Sequence, residues 1–163
     1  MDDYRIRMAD VRDAGIIAAH RVAMFREMGL VTTDPLAAEL EAASCQVLEG
    51  LLRSGDYVGW LALDSLDAVI AGAGAHVKSQ LPRPSQNRRF VDSADLPLVV
   101  NVYTEVAWRQ RGIARTLMLT LMAWARNEGF DRIILHASDA GRPLYDSLGF
   151  KSTNEMSWTV AGA

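Results

Sequence analysis

Apolar and polar residues alternate through Tyr4-Arg5-Ile6-Arg7-Met8, the period of a half-buried strand. The spacing then turns helical. Asp10 stands at an N-cap position and Asp13 adds negative charge to the first turn, which predicts a helix with Val11, Ala14, Ala18, Val22 and Phe25 on one stripe and an end near Gly29. Asp34-Pro35 reads as N-cap and first position of a second helix, with Leu36, Leu40, Ala43, Val47 and Leu51 facing inward and Gly55-Asp56 as its stop. Tyr57–Leu63 and Ala68–Val77, joined through Asp64-Ser65-Leu66-Asp67, predict a hairpin.

The segment Lys78–Pro97 is polar, has no clear period and carries Pro82, Pro84 and Pro97, so it reads as a substrate loop or as a hairpin connection. Leu98–Thr104 is a short, nearly continuous apolar strand, central and covered on both faces. From Ala114 onward Leu117, Met118, Leu121, Met122 and Ala125 recur at helical spacing, with Gly129 as the stop. Ile133-Ile134-Leu135 follows as a strand, Asp139–Leu148 as a short helix closed by Gly149, and Glu155–Val160 as a final strand. Strand, helix, helix, three strands, helix, strand, helix, strand makes a mixed sheet with helices against it, an α/β or α+β class.

The chain has 163 residues, half of them apolar and 23% charged, which fits one domain that folds without disulfides or structural metal. Residues 1–163 are therefore expected to form a single domain. A net charge of −3 gives no global positive field, so nucleic acid is not an expected partner. Local basic clusters stand at Arg88-Arg89 and from Arg109 to Arg115. The apolar run Ile113–Trp124 is interrupted by Arg115 and Thr116, far short of the roughly 20 residues of a bilayer span, so no membrane association is expected. The acidic start Met1-Asp2-Asp3 lacks the regions of a signal peptide, and the expected compartment is the cytoplasm. Cys45, the single cysteine, reads as a small buried hydrophobe. His20, His76 and His136 show no metal-ligand spacing, and no metal is expected. Gly72-Ala73-Gly74 fails as a dinucleotide fingerprint because position 77 is Val, and neither a phosphate-binding loop of nucleotide hydrolases nor a serine nucleophile elbow is found.

Chemistry concentrates between Asn101 and Arg115, where a buried strand runs through a basic, glycine-containing turn into a strongly amphipathic helix. The first turn of a helix offers amides without intrahelical partners, at the positive end of the helix dipole. Gly112 and Ala114 let an anion approach the backbone, while Arg109, Arg111 and Arg115 add forked cationic donors. A phosphate supplies the missing acceptors.

Arg109-Gln110-Arg111-Gly112-Ile113-Ala114 matches the [QR]-x-x-G-x-[GA] signature of the GNAT superfamily of N-acetyltransferases, and Leu144-Tyr145-Asp146-Ser147-Leu148-Gly149-Phe150 resembles the family's closing L-Y-x-x-x-G-F segment. The resemblance covers Leu98 to Phe150 strongly. It implies a mixed sheet of about six to seven strands, splayed between the fourth and fifth and flanked by about four helices, with acetyl-CoA in the gap. The backbone of Val102, Tyr103 and Thr104 would then pair with the pantetheine arm, and the amides of Gln110, Arg111, Gly112, Ile113, Ala114 and Arg115 would hold the pyrophosphate.

The resemblance further implies direct acetyl transfer to an amine, with Tyr145 as the acid that protonates the leaving thiolate. It supplies no base, because Leu98–Thr104 lacks the carboxylate that family members often carry there. Asn101 to position a water, and Glu27, His76 or Glu105 to reach the substrate, are the candidates. Ser138 and Gly141 stand where many relatives have Asn and Ala; Ser138 offers a hydroxyl either to the pantetheine or to the cap of the closing helix. Met24–Gly29 reads either as acceptor-pocket lining or as core stripe. The expected acceptor is a primary amine of a small molecule, and Glu27, Asp34, Glu39 and Glu41 mildly favour a cationic one. A protein N-terminus or lysine as acceptor, or a non-catalytic acyl-CoA-binding module, stay open as other readings. Relatives are often dimers, and Trp158 on the last strand is a candidate for a homodimer face.

Overall fold

A computed structural model describes residues 4–85, 90–91 and 95–162; the Arg88-Arg89 cluster lies outside the described residues. Strand β1 (Tyr4–Met8) leads through one tight helical turn at Val11–Asp13 into α1 (Ala14–Glu27). Asp10 accepts from the Arg12 amide at 2.9 Å, while the Asp13 carboxylate accepts from the Asp10 amide at 2.8 Å, so each aspartate satisfies an otherwise orphaned donor. Arg7 adds two parallel bonds of 2.8 Å to the same Asp13 carboxylate, which clamps β1 to the start of α1. The Arg7 guanidinium holds the Asp13 carboxyl below its usual range.

Helix α2 (Asp34–Ser54) is capped by Thr33, one residue before the expected cap, and ends at Gly55 in the left-handed conformation. Its inward face also differs from the sequence expectation. Ala37 and Leu48 are buried, with Leu40, Cys45, Leu51 and Leu52 packed beside them, whereas Leu36 and Val47 are exposed. Both rows satisfy helical spacing; contact with α1 and β2 selects between them.

The hairpin forms as β2 (Tyr57–Asp64) and β3 (Val69–Lys78), and the apolar strand as β6 (Leu96–Thr104), which reaches back to include the buried Pro97. Between them, β4 (Arg83–Pro84) pairs with β5 (Phe90–Val91), so the aperiodic stretch is in part a hairpin. Helix α3 (Ile113–Asn127), β7 (Ile134–Leu135) and α4 (Arg142–Ser147) complete the chain. The main sheet has the order β1-β2-β3-β6-β7, antiparallel except for the last pair. Five strands thus replace the expected six to seven. The expected strand Glu155–Val160 is absent among the described residues, and Met156, Trp158 and Val160 are exposed. The sheet edge at that end, β7, is only two residues long and gives a further strand little to pair with; a 2.7 Å contact from Glu155 Oε1 to His136 Nε2 ties the segment down instead.

Side chains alternate across the sheet and divide the core. Trp60, Ala62 and Val99 pack under Leu117, Met118 and Leu121 of α3, while Leu61 and Leu63 pack under Ile17 and Ala18 of α1 and Leu48 of α2. No helix among the described residues is long and apolar enough to cross a membrane.

Asp13→Ala should lower the unfolding free energy by about 2–3 kcal/mol at neutral pH, read from urea midpoints. Because the folded carboxyl titrates below its ordinary 3.8, this stability is present above that value and lost as pH falls through the folded pKa. The difference between wild type and variant should therefore shrink in acid; a difference that persists undiminished there would contradict the charged clamp.

Candidate active site

Strands β6 and β7 share only two parallel pairs, Leu98 with Ile134 and Val99 with Leu135. Beyond them β6 runs on to Thr104 while β7 stops, so the two strands part and leave a gap. A bulge lies at that point. Two residues of β6, Asn101 and Val102, stand opposite the single Ala73 of β3, and Asn101 adopts a left-handed φ of 58°. An extra residue bends its strand away from the regular ladder.

At the mouth of the gap the chain passes through a tight turn at Val106–Trp108 and reaches α3. Gln110 (φ 63°) and Gly112 (φ 78°) both take the left-handed conformation, which turns successive amides to one side. Among the described residues none accepts a hydrogen bond from the amides of Gly112, Ile113, Ala114 or Arg115; the first bond of the helix is Thr116 N–H to Gly112 C=O at 3.0 Å. A β-carbon built on Gly112 meets no atom within 4 Å, so the space in front of the turn is open. The Thr104 hydroxyl is buried and has no hydrogen-bond partner among the described residues. Free amides, open space and an orphaned hydroxyl beside an unpaired strand edge fit a diphosphate with an amide-bearing arm.

The three arginines do not gather around the turn as expected. Arg115 Nη1 donates to Ser147 Oγ at 2.8 Å, bridging α3 to α4, and Arg111 lies over the Trp108 ring at 4.6 Å. Arg109 turns to the α1 side: its Nε donates to the Thr104 carbonyl at 2.9 Å and its Nη2 to Glu27 Oε1 at 2.5 Å. The Tyr103 hydroxyl donates to the same carboxylate oxygen at 3.5 Å. Residues 82 apart in sequence are thus joined, a link that no local pattern carries.

Asn101 and Tyr103 point to the α1 face. Asn101 is buried, and its Oδ1 accepts from Arg21 Nη1 at 2.9 Å. Tyr57 lies nearby, and burial pushes its phenol up to about 12 against the opposing effect of Asn101. His20, also buried, has its ring 4.9 Å from that of Tyr103, and burial lowers its pKa against the opposing effect of Glu105. His20 Nε2 lies 3.3 Å from Glu105 Oε1 without hydrogen-bonding geometry. His76 pairs with Leu98 at the far end of β6, away from the gap.

Tyr145 packs edge-on against Phe150 at 5.9 Å and over Gly141, where a β-carbon would lie 2.9 Å from its ring. Burial raises its pKa, which keeps the phenol protonated. The Ser138 hydroxyl accepts from the Gly141 amide at 3.2 Å, in the turn before α4, whose N-cap is Gly141. Among the described residues no group of His, Cys, Asp and Glu side chains has a metal-binding arrangement.

The family model of the acetyltransferase (GNAT) family matches residues 24–150. The chain belongs to this family. A GCN5-related N-acetyltransferase from Ralstonia eutropha is 31% identical, over 98% of this chain and 99% of its own, with a TM-score of 0.83. A predicted acetyltransferase from Clostridium acetobutylicum, solved with acetyl-CoA, is 24% identical over 96% of each chain with a TM-score of 0.80. An aminoglycoside N-acetyltransferase in complex with CoA shares the fold at 16% identity and a TM-score of 0.67, over 98% of this chain and 95% of its own. No curated protein matches the chain. This GNAT protein is an acetyltransferase with acetyl-CoA as its co-substrate.

Gly112→Glu should abolish acetyl-CoA binding in calorimetry, since it fills the open space with a carboxylate and strains a left-handed residue. Unaltered affinity would remove the turn from the site.

Proposed function

We propose that this acetyltransferase acetylates a primary amine of a small molecule, with the diphosphate of acetyl-CoA on the amides of residues 110–115. The observation that carries this reading is the row of amides without partners from Gly112 to Arg115 at the mouth of the β6–β7 gap. Acetyl-CoA, when bound, supplies an activated acetyl thioester. An arm running inward from the turn lies along the unpaired edge of Val102, Tyr103 and Thr104, whose backbone groups provide its hydrogen bonds. The Thr104 hydroxyl supplies one more.

Tyr145 holds its proton at neutral pH because burial disfavours the phenolate, so it donates to the leaving thiolate. Glu27 is paired through Oε1 with Arg109, and its Oε2 has no partner among the described residues, which suits it to orient the amine while water carries the proton away. Asn101 acts at one remove, by holding Arg21. The Glu27–Arg109 tie joins the end of α1 to the turn, across the side where a peptide acceptor needs an open groove. That favours a compact acceptor.

Incubating the purified protein with acetyl-CoA and a library of small amines should release free thiol faster than with acetyl-CoA alone. Release stimulated only by peptides would contradict the small-molecule reading. With the amine so found, Tyr145→Phe should cut turnover about 100-fold and leave the acetyl-CoA Kd nearly unchanged; equal turnover would rule out its role as acid.

A further inference from the structure

We infer that the acceptor amine also carries a carboxylate, and that Arg21 binds it at the α1 face of the gap. This rests on the transferase reading of that gap. Arg21 is half-buried, donates from Nη1 to Asn101 Oδ1 at 2.9 Å and lies over the Phe25 ring at 4.7 Å. Among the described residues no carboxylate pairs with it, whereas Arg7, Arg26 and Arg109 each hold one. Its Nε and Nη2 make no hydrogen bond to a described residue, which leaves one edge of the fork free. A partly desolvated guanidinium without an anion is unfavourable, and burial lowers its pKa accordingly. A bidentate carboxylate relieves that cost and fits the free edge.

The position of Arg21 is built. Asn101 stands two residues beyond Val99, the last residue of β6 paired with β7, so Arg21 is held where the gap begins. Near Asn101, the Tyr57 side chain lies over a floor cleared of side chains: a β-carbon on Gly59 would fall 2.9 Å from its ring, and one on Gly74 2.1 Å from its hydroxyl. The Tyr57 phenol titrates at about 12 and stays neutral, so it adds no anion to compete for Arg21.

The carboxylates of α2 do not build a cation site in its place. Asp34 is paired with Arg26 at 2.7 Å, while Glu39 and Glu41 are exposed. Arg21 and Glu27 are six residues apart on one helix, about 9 Å along its axis, and both side chains reach the β6 wall. A cation at one end and an anion at the other match the two ends of an amino-acid-like acceptor.

The test uses acceptor pairs that differ only in the carboxylate, a set of amino acids and their carboxamides, with wild type, Arg21→Gln and Arg21→Lys. Wild type should prefer the acid of a pair, and Arg21→Gln should lower kcat/KM for that acid about 30- to 100-fold, mostly through KM, with little change for the amide. Arg21→Lys should fall between, keeping the charge but losing the fork. The acetyl-CoA Kd should not move. Amides used as well as acids by wild type, or an Arg21→Gln loss equal for both, would overturn the carboxylate assignment and leave the transferase reading standing. Binding of acetyl-CoA with no transfer to any amine would overturn both. Should Arg21→Gln fail to fold, the wild-type acid-to-amide ratio decides alone.

Discussion

The proposed coenzyme site depends on two neighbouring strands ceasing to pair. Over Leu98–Val99 and Ile134–Leu135 the sheet is an ordinary parallel ladder; beyond Val99, β6 has no strand partner on that side among the described residues. The parting has a local cause in the bulge at Asn101, where β6 carries one residue more than β3 and bends. Strand edges are normally covered, because their free donors and acceptors invite pairing. Here the open edge is an internal seam of the sheet, where in the proposed reading an extended, amide-bearing molecule would take the place of a strand.

The bulge also sets the chemistry on either side of the seam. It turns Asn101 toward α1, where its side-chain oxygen holds Arg21, and the same α1 face brings Tyr103 to Glu27 and Arg109. Toward the mouth, left-handed residues at Gln110 and Gly112 expose the amides that begin α3. In the proposed reading, anion binding and acceptor binding fall to opposite ends of one strand segment, and neither requires a side chain of high reactivity.

Much of this was legible in the chain. Leu117, Met118 and Leu121 at helical spacing, with Gly112 before and Gly129 after, mark α3 without ambiguity, and all three side chains are buried. Gly112 and the arginine-rich turn mark a helix start whose amides lack acceptors, because every such start needs them whatever its tertiary setting. What escaped the sequence depends on contacts between distant segments. Leu36 and Val47 follow a helical period as faithfully as Ala37 and Leu48, and only the packing of α2 on α1 decides which row is inside. Glu155–Val160 has a strand's alternation but no full-length neighbour to pair with. Arg109 lies within the motif yet turns to Glu27, and Arg21, eighty residues from Asn101, bears no local mark at all.

The most direct measurement of the central claim is a crystal structure of the protein with coenzyme A. The diphosphate oxygens should accept from the amides of Gly112 to Arg115, and the arm should run along Val102 to Thr104 between two strands that stay apart. A coenzyme seated elsewhere, or β6 and β7 joined beyond Val99 and Leu135, would contradict it.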